Sequence, residues 1–116
     1  MNEKQLVGKR GEYIAEDSYR NRGYTLIARN VRLQAGEIDR IFKKESTFYF
    51  VEVKTRRSMA FGMPEEAITR QKASRMWRCV GEYAALHCIG IGNCVMEVCS
   101  VGLGSGSPRI TLYTMN

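Results

Sequence analysis

The chain has 116 residues and a mass of 13.2 kDa, which suits one domain with one core. With 44% hydrophobic and 26% charged residues it is too apolar for a disordered chain. No apolar run approaches the roughly 18–20 residues of a membrane span. The formal charge of +6 makes a polyanion, nucleic acid first, the expected partner.

The charge is unevenly spread. Residues 1–58 hold 13 basic and 8 acidic side chains, and residues 59–116 hold 5 and 4. The N-terminal stretch MNEKQLVGKRGE lacks the apolar core of a signal peptide, so a cytoplasmic location with reduced thiols is expected. Cys79, Cys88, Cys94 and Cys99 contain no CxxC pair. His87 with Cys88, Cys94 and Cys99 is a formal zinc set, but buried or half-buried free thiols are the expected reading.

In chain order, residues 3–22 read as a helix, with Val7, Gly11, Ile14, Ala15 and Ser18 at helical spacing and Lys9, Arg10, Glu16, Asp17 and Arg20 on the other sides. Asn21-Arg22-Gly23 stops it. A first strand follows from Tyr24 to Arg29, ended by Asn30. Ala35-Gly36 forms a turn into a second strand, Glu37 to Lys43. Lys44-Glu45-Ser46 then leads into a third, Thr47 to Thr55, and so short a connection predicts an antiparallel hairpin. The third strand is almost wholly apolar up to Val53, as in a strand covered on both faces.

Residues 56–64 read as a loop. Thr69 caps a second helix of about 18 residues whose Met76, Cys79, Val80, Tyr83 and Ala84 form one apolar stripe. Trp77 lies off that stripe, where it serves either as an interface anchor or as packing against the sheet. Residues 93–101 and 109–114 read as two closing strands joined by a GLGSGSP turn.

The chemistry is concentrated in Gly36-Glu37-Ile38-Asp39 and, 13 positions after Asp39, in Glu52-Val53-Lys54. Alternation along a strand puts Glu37 and Asp39 on one face, and Glu52 and Lys54 on one face of the next. One hairpin register brings Asp39 beside Glu52. Three carboxylates and one ammonium on a patch of sheet are costly to bury unless paired. Lys54 offsets one charge, and a hard divalent cation such as Mg²⁺, which takes one or two carboxylates and keeps waters, suits the rest. The alternative is a set of surface salt bridges on a solvated sheet face.

GEIDRI followed by FVEVKTR, with an early GE and a later FGMPEEA, resembles the small uncharacterised bacterial YraN-like family. That family is similar to archaeal Holliday-junction resolvases within the PD-(D/E)XK nuclease superfamily. The resemblance, over about residues 5–86, implies an α/β, restriction-endonuclease-like fold: one nuclease domain over residues 1–116, with a mixed central sheet flanked by helices. It implies Asp39 and Glu52 as metal ligands, with the Val53 carbonyl nearby, Lys54 as the lysine that orients the attacking water, and Glu12 as the helical glutamate that reaches the metal directly or through water. Glu37 is an auxiliary carboxylate. Gln71 lies about where some relatives place a helical polar site residue, although a solvated position is expected here.

The function implied is a Mg²⁺-dependent (or Mn²⁺-dependent) endonuclease acting on branched or otherwise structured DNA as a homodimer. Its cut would leave 5′-phosphate and 3′-hydroxyl ends. Arg56, Arg57, Arg70, Lys72, Arg75 and Arg78 are the candidate phosphate contacts, with Arg20, Arg22, Arg29 and Arg32 extending the track. The competing class is a non-catalytic nucleic-acid-binding protein that keeps the nuclease fold.

Overall fold

The computed structural model describes residues 1–57, 68–104 and 106–115. Helix α1 (Glu3–Asn21) opens on Asn2, whose side chain accepts from the Gln5 N–H while the Gln5 side chain accepts from the Asn2 N–H. This reciprocal cap satisfies two amides that the first turn would otherwise leave unpaired. The helix ends where Gly23 takes φ +90°, as its sequence signal predicts.

Strands β1 (Thr25–Arg32), β2 (Glu37–Lys44) and β3 (Thr47–Arg56) form an antiparallel meander. Helix α2 (Arg70–Leu86) then crosses over to β4 (Cys94–Gly102), which lies parallel to β3, and β5 (Arg109–Met115) closes the sheet antiparallel to β4. The sheet order is β1-β2-β3-β4-β5. A parallel pair cannot be joined by a tight turn, so a crossover such as α2 is required between β3 and β4.

The core lies in two layers. On one face Ala15 and Tyr19 of α1 join Phe42, Val51, Val53, Cys99 and Val101. On the other, Met76, Cys79, Val80, Tyr83 and Ala84 of α2 join Ile38, Ile41, Phe50, Cys94 and Met96. Neighbouring β3 residues Phe50 and Val51 belong to different layers, which explains that strand's unbroken apolar run. The predicted stripe of α2 is its set of buried residues. Trp77 packs half-buried against the α2-side core. Tyr19 is tied down by its hydroxyl, which donates to the buried Glu97 of β4 at 2.7 Å.

Two local expectations are corrected. β1 does not end at Asn30: that residue takes φ +47° and pairing resumes at Val31 opposite Ile38. Asparagine tolerates this left-handed conformation better than most residues. The inward face of α1 is Gly11, Ala15, Glu16 and Tyr19, so Glu16 is buried rather than solvated.

Gly11 sets how closely α1 can approach the sheet. A β-carbon there would lie 1.8 Å from Thr55 Oγ1 and within 2.8 Å of two further Thr55 atoms. Gly11→Ala should therefore destabilise the fold by ~1–3 kcal/mol through overpacking, although alanine in a helix interior normally stabilises relative to glycine. Thermal melts should show a lower Tm for Gly11→Ala, partly restored by adding Thr55→Ala. An unchanged or raised Tm would mean that the helix can move away freely.

Candidate active site

The β2–β3 hairpin aligns Arg40 with Val51 and Lys44 with Thr47. One residue beyond Arg40 and Val51, Asp39 and Glu52 stand side by side at the open end of the ladder. Asp39 Oδ2 accepts the Val53 N–H at 2.8 Å. Its carboxyl is nevertheless pushed up to about 7, by burial first and then by the negative charges of Glu52, Glu12 and Glu37, against the lowering effect of the Val53 bond. The other three acids named from the sequence thus converge electrostatically on Asp39. Helix α1 supplies Glu12, the start of β2 supplies Glu37, and β3 supplies Glu52.

Two ammonium groups face these acids. Lys54 Nζ lies 3.5 Å from Glu52 Oε1, and Lys72 Nζ lies 3.9 Å from the same oxygen. Lys72 arrives from the first turn of α2, where its N–H is held by the Thr69 hydroxyl at 3.1 Å. Burial and the adjacent Lys54 hold the Lys72 ammonium below its usual range, with Glu52 opposing. Of the residues proposed to touch phosphate outside the site, Lys72 lies inside it. The cap signal at Thr69 located its helix position, but spacing could not reveal that α2 begins above Glu52.

Behind the acids lies an ion-pair network that the sequence pattern did not reveal. Arg40, with its side chain 2% exposed, donates from Nε to Glu16 Oε1 at 3.0 Å and from Nη1 to Glu12 Oε1 at 3.0 Å. Arg29 grips Glu16 with two bonds of 2.8 and 2.9 Å. These guanidiniums hold the Glu16 carboxyl below the usual range, Arg29 having the larger effect, against desolvation. Asn30 Nδ2 donates to Glu12 Oε1 at 3.1 Å and reaches Glu37 at 3.5 Å. Both of these donors to Glu12 use Oε1, leaving Oε2 for another partner. The sequence signal was Arg40 itself, a charge between two core residues of β2.

The remaining candidates are dispersed. Arg57 is exposed and paired with Glu3. Arg56 is half-buried, and its Nε has no partner among the described residues. Arg70, Gln71, Arg75 and Arg78 are exposed along α2. Arg29 serves Glu16, Arg20 lies 3.7 Å from Glu16, and Arg32 lies 3.6 Å from Glu37. Arg22 stacks over Tyr19 and Tyr24, so this group does not form a free cationic track. Cys79, Cys94 and Cys99 are buried and Cys88 is exposed, all as free thiols. The FGMPEEA segment and most of the loop before it lie outside the described residues.

Among the described residues no set of three or more His, Cys, Asp or Glu is arranged to hold a metal ion. The donor chemistry nonetheless fits a hard dication bound through two carboxylates and waters. Asp39 keeps Oδ1 without a hydrogen-bond partner among the described residues, and its ionised form is disfavoured by neighbouring anions that a cation would offset.

A single α/β domain with a five-stranded mixed sheet, a helix on each face and acids gathered at one hairpin end is compatible with a restriction-endonuclease-like fold. The chain belongs to the uncharacterised protein family UPF0102, whose model matches residues 11–101. A UPF0102 protein of Clavibacter michiganensis subsp. michiganensis is 45% identical over 87 residues, covering 75% of this chain and 74% of the relative. One from Leifsonia xyli is 45% identical over 83 residues (72% and 70%), and one from Dehalococcoides mccartyi is 32% identical over 109 residues (94% and 90%). Among the described residues no helix is long and apolar enough to cross a membrane.

Proposed function

We propose that this protein is a metal-dependent endonuclease that hydrolyses phosphodiester bonds of structured DNA. The observation that carries the reading is the meeting of Asp39 and Glu52 beside Lys54, on adjacent strands, with Glu12 reaching in from α1.

Asp39 and Glu52 would hold Mg²⁺, or Mn²⁺ in its place, with the Val53 carbonyl and Glu12 as supporting oxygens. Such an ion supplies Lewis-acid polarisation of the phosphate and a lower pKa for water. Lys54 orients the attacking water and places positive charge where negative charge grows at phosphorus. Lys72, sharing Glu52 with Lys54, is positioned to bind a non-bridging phosphate oxygen. Glu37 and Asn30 hold the surrounding charge in place, and the exposed Arg70, Arg75 and Arg78 of α2 contact flanking phosphates without reading sequence. The products are 5′-phosphate and 3′-hydroxyl ends. The resemblance to dimeric resolvases supports a homodimer presenting two sites to a branched substrate.

The test is cleavage of a four-way junction, a linear duplex and a single strand in Mg²⁺ or Mn²⁺. Wild type should cut the junction best, and Lys54→Ala should lower the rate by about 10²–10⁴, the span of acid–base contributions. Metal-dependent cutting of none of the three, with DNA binding retained, would assign the protein to the non-catalytic binding class.

A further inference from the structure

Helix α1 contains two half-buried or buried glycines one turn apart, and only one is explained by packing. Gly11 meets Thr55, whereas a β-carbon on Gly8 would find nothing within 4 Å among the described residues. Glycine inside a helix costs about 1 kcal/mol relative to alanine, so Gly8 is a loss that no contact within the described residues offsets.

Its surroundings supply a reason. A depression of ≈ 480 Å³ is lined by Lys4, Gly8, Glu12, Val53, Lys54 and Thr55, among others. A second, of ≈ 470 Å³, is lined by Gln5, Gly8, Lys9, Glu12, Asn30 and Glu37 with Met1. They share Gly8 and Glu12, so Gly8 is the low saddle between them, directly beside the acids. A third depression, of ≈ 440 Å³, continues from the first through Glu3, Val7 and Arg57 towards Arg10 and Pro108. Lys4, Lys9, Arg10 and Arg57 are all exposed along this path. Hollows of this size take a drug-sized ligand, which matches about a nucleotide each and not a duplex.

We propose that one strand of nucleic acid, separated from its complement, runs along this path and crosses α1 over Gly8, with the cations on its phosphates. The inference rests on the nucleic-acid reading above and adds the strand's route and single-stranded form. Gly8 is then a clearance residue: any side chain there stands where the backbone must pass.

Binding of a fluorescein-labelled single-stranded DNA, followed by anisotropy in EDTA so that nothing is cut, tests this. Gly8→Leu should weaken binding at least ~10-fold with its Tm unchanged or raised. Gly81→Leu, at a helix position equally open that borders none of the three depressions, should bind like wild type. Lys4→Glu/Lys9→Glu, two surface changes that spare the helix core, should weaken binding and reduce the salt slope by about two charges. This pair decides the matter should Gly8→Leu fail to fold. A blunt duplex should be insensitive to Gly8→Leu. Gly8→Leu binding the single strand within twofold of wild type, or duplex binding falling equally, overturns the route while leaving the nuclease reading intact. Wild type binding no DNA of any form overturns both.

Discussion

Asp39→Asn is expected to raise the stability of the metal-free protein at pH 8 while abolishing its response to Mg²⁺. The Asp39 carboxyl is pushed up to about 7 by burial and by Glu52, Glu12 and Glu37. A group that holds its proton more tightly when folded lowers stability as pH rises, because the unfolded chain has already released that proton. The loss begins near the ordinary carboxylate range, about pH 4, and is complete above about 7. With ~1.4 kcal/mol for each unit of displacement, the ionised carboxylate costs on the order of 4 kcal/mol at most. Asparagine removes that charge and can still accept the Val53 N–H.

Melts at pH 5 and pH 8 should therefore show wild type losing Tm between them and Asp39→Asn losing much less. Mg²⁺ at about 100 times its Kd should return ~2.7 kcal/mol to wild type and nothing to the variant, and titration calorimetry should register heat for wild type only. Equal stabilisation of both proteins by Mg²⁺ would remove Asp39 from the ligand set. The acid whose ionisation lowers the stability of the metal-free protein is thus the same one proposed to hold the cation.

The second large effect is expected at Arg40. Its guanidinium is buried between Glu16 and Glu12, with bonds of 3.0 Å to each. Arg40→Met retains much of the stem's packing but leaves the buried Glu16 with Arg29 and Arg20 as its cationic partners among the described residues. Leaving a buried charge uncompensated costs ~3–5 kcal/mol. Because Arg29 stays bound to Glu16, the loss should fall towards or below the lower end of that range, still a sizeable share of the ~5–15 kcal/mol that holds a domain together.

The pH dependence identifies the mechanism. The Glu16 carboxyl lies below its usual range because Arg29 and Arg40 bind it, so the stability it contributes is present above the ordinary carboxylate pKa and is lost as pH falls through its lowered value. The gap between wild type and Arg40→Met should thus be widest near pH 7 and narrower at pH 3, because acid moves Glu16 towards its protonated form, which needs no guanidinium. Urea unfolding at the two pH values measures this. A gap under ~1 kcal/mol at pH 7, or one that does not change with pH, would show that the network contributes little.

Much of the architecture is legible in the chain because it is short-range. The α2 stripe from Met76 to Ala84 follows from helical periodicity, and the β2–β3 hairpin follows from the polar break at Lys44–Ser46. That hairpin also made the core of the candidate site legible. Once Lys44 pairs with Thr47, the antiparallel register leaves Asp39 opposite Glu52 with no further choice. Alternation then puts Lys54 on the face of Glu52.

Tertiary structure decided what depends on how whole elements dock. Glu16 reads as solvated on a helical wheel and is buried because Arg29 and Arg40 come from two strands to meet it. Lys72 reads as a surface cation and joins the candidate site because α2 begins above Glu52. Gly8 and Gly11 are the same residue type on one helix, and only the approach of Thr55 to one of them distinguishes a packing glycine from an open one. By itself the sequence determined the main elements, the existence of the hairpin and the acidic motif, since each is set by neighbours a few residues or one tight turn away, while the register that seats Asp39 beside Glu52 came with the folded hairpin. The partners of the charges were decided only in the folded molecule, because burial of an ion is tolerated or forbidden by groups that arrive from elsewhere in the chain.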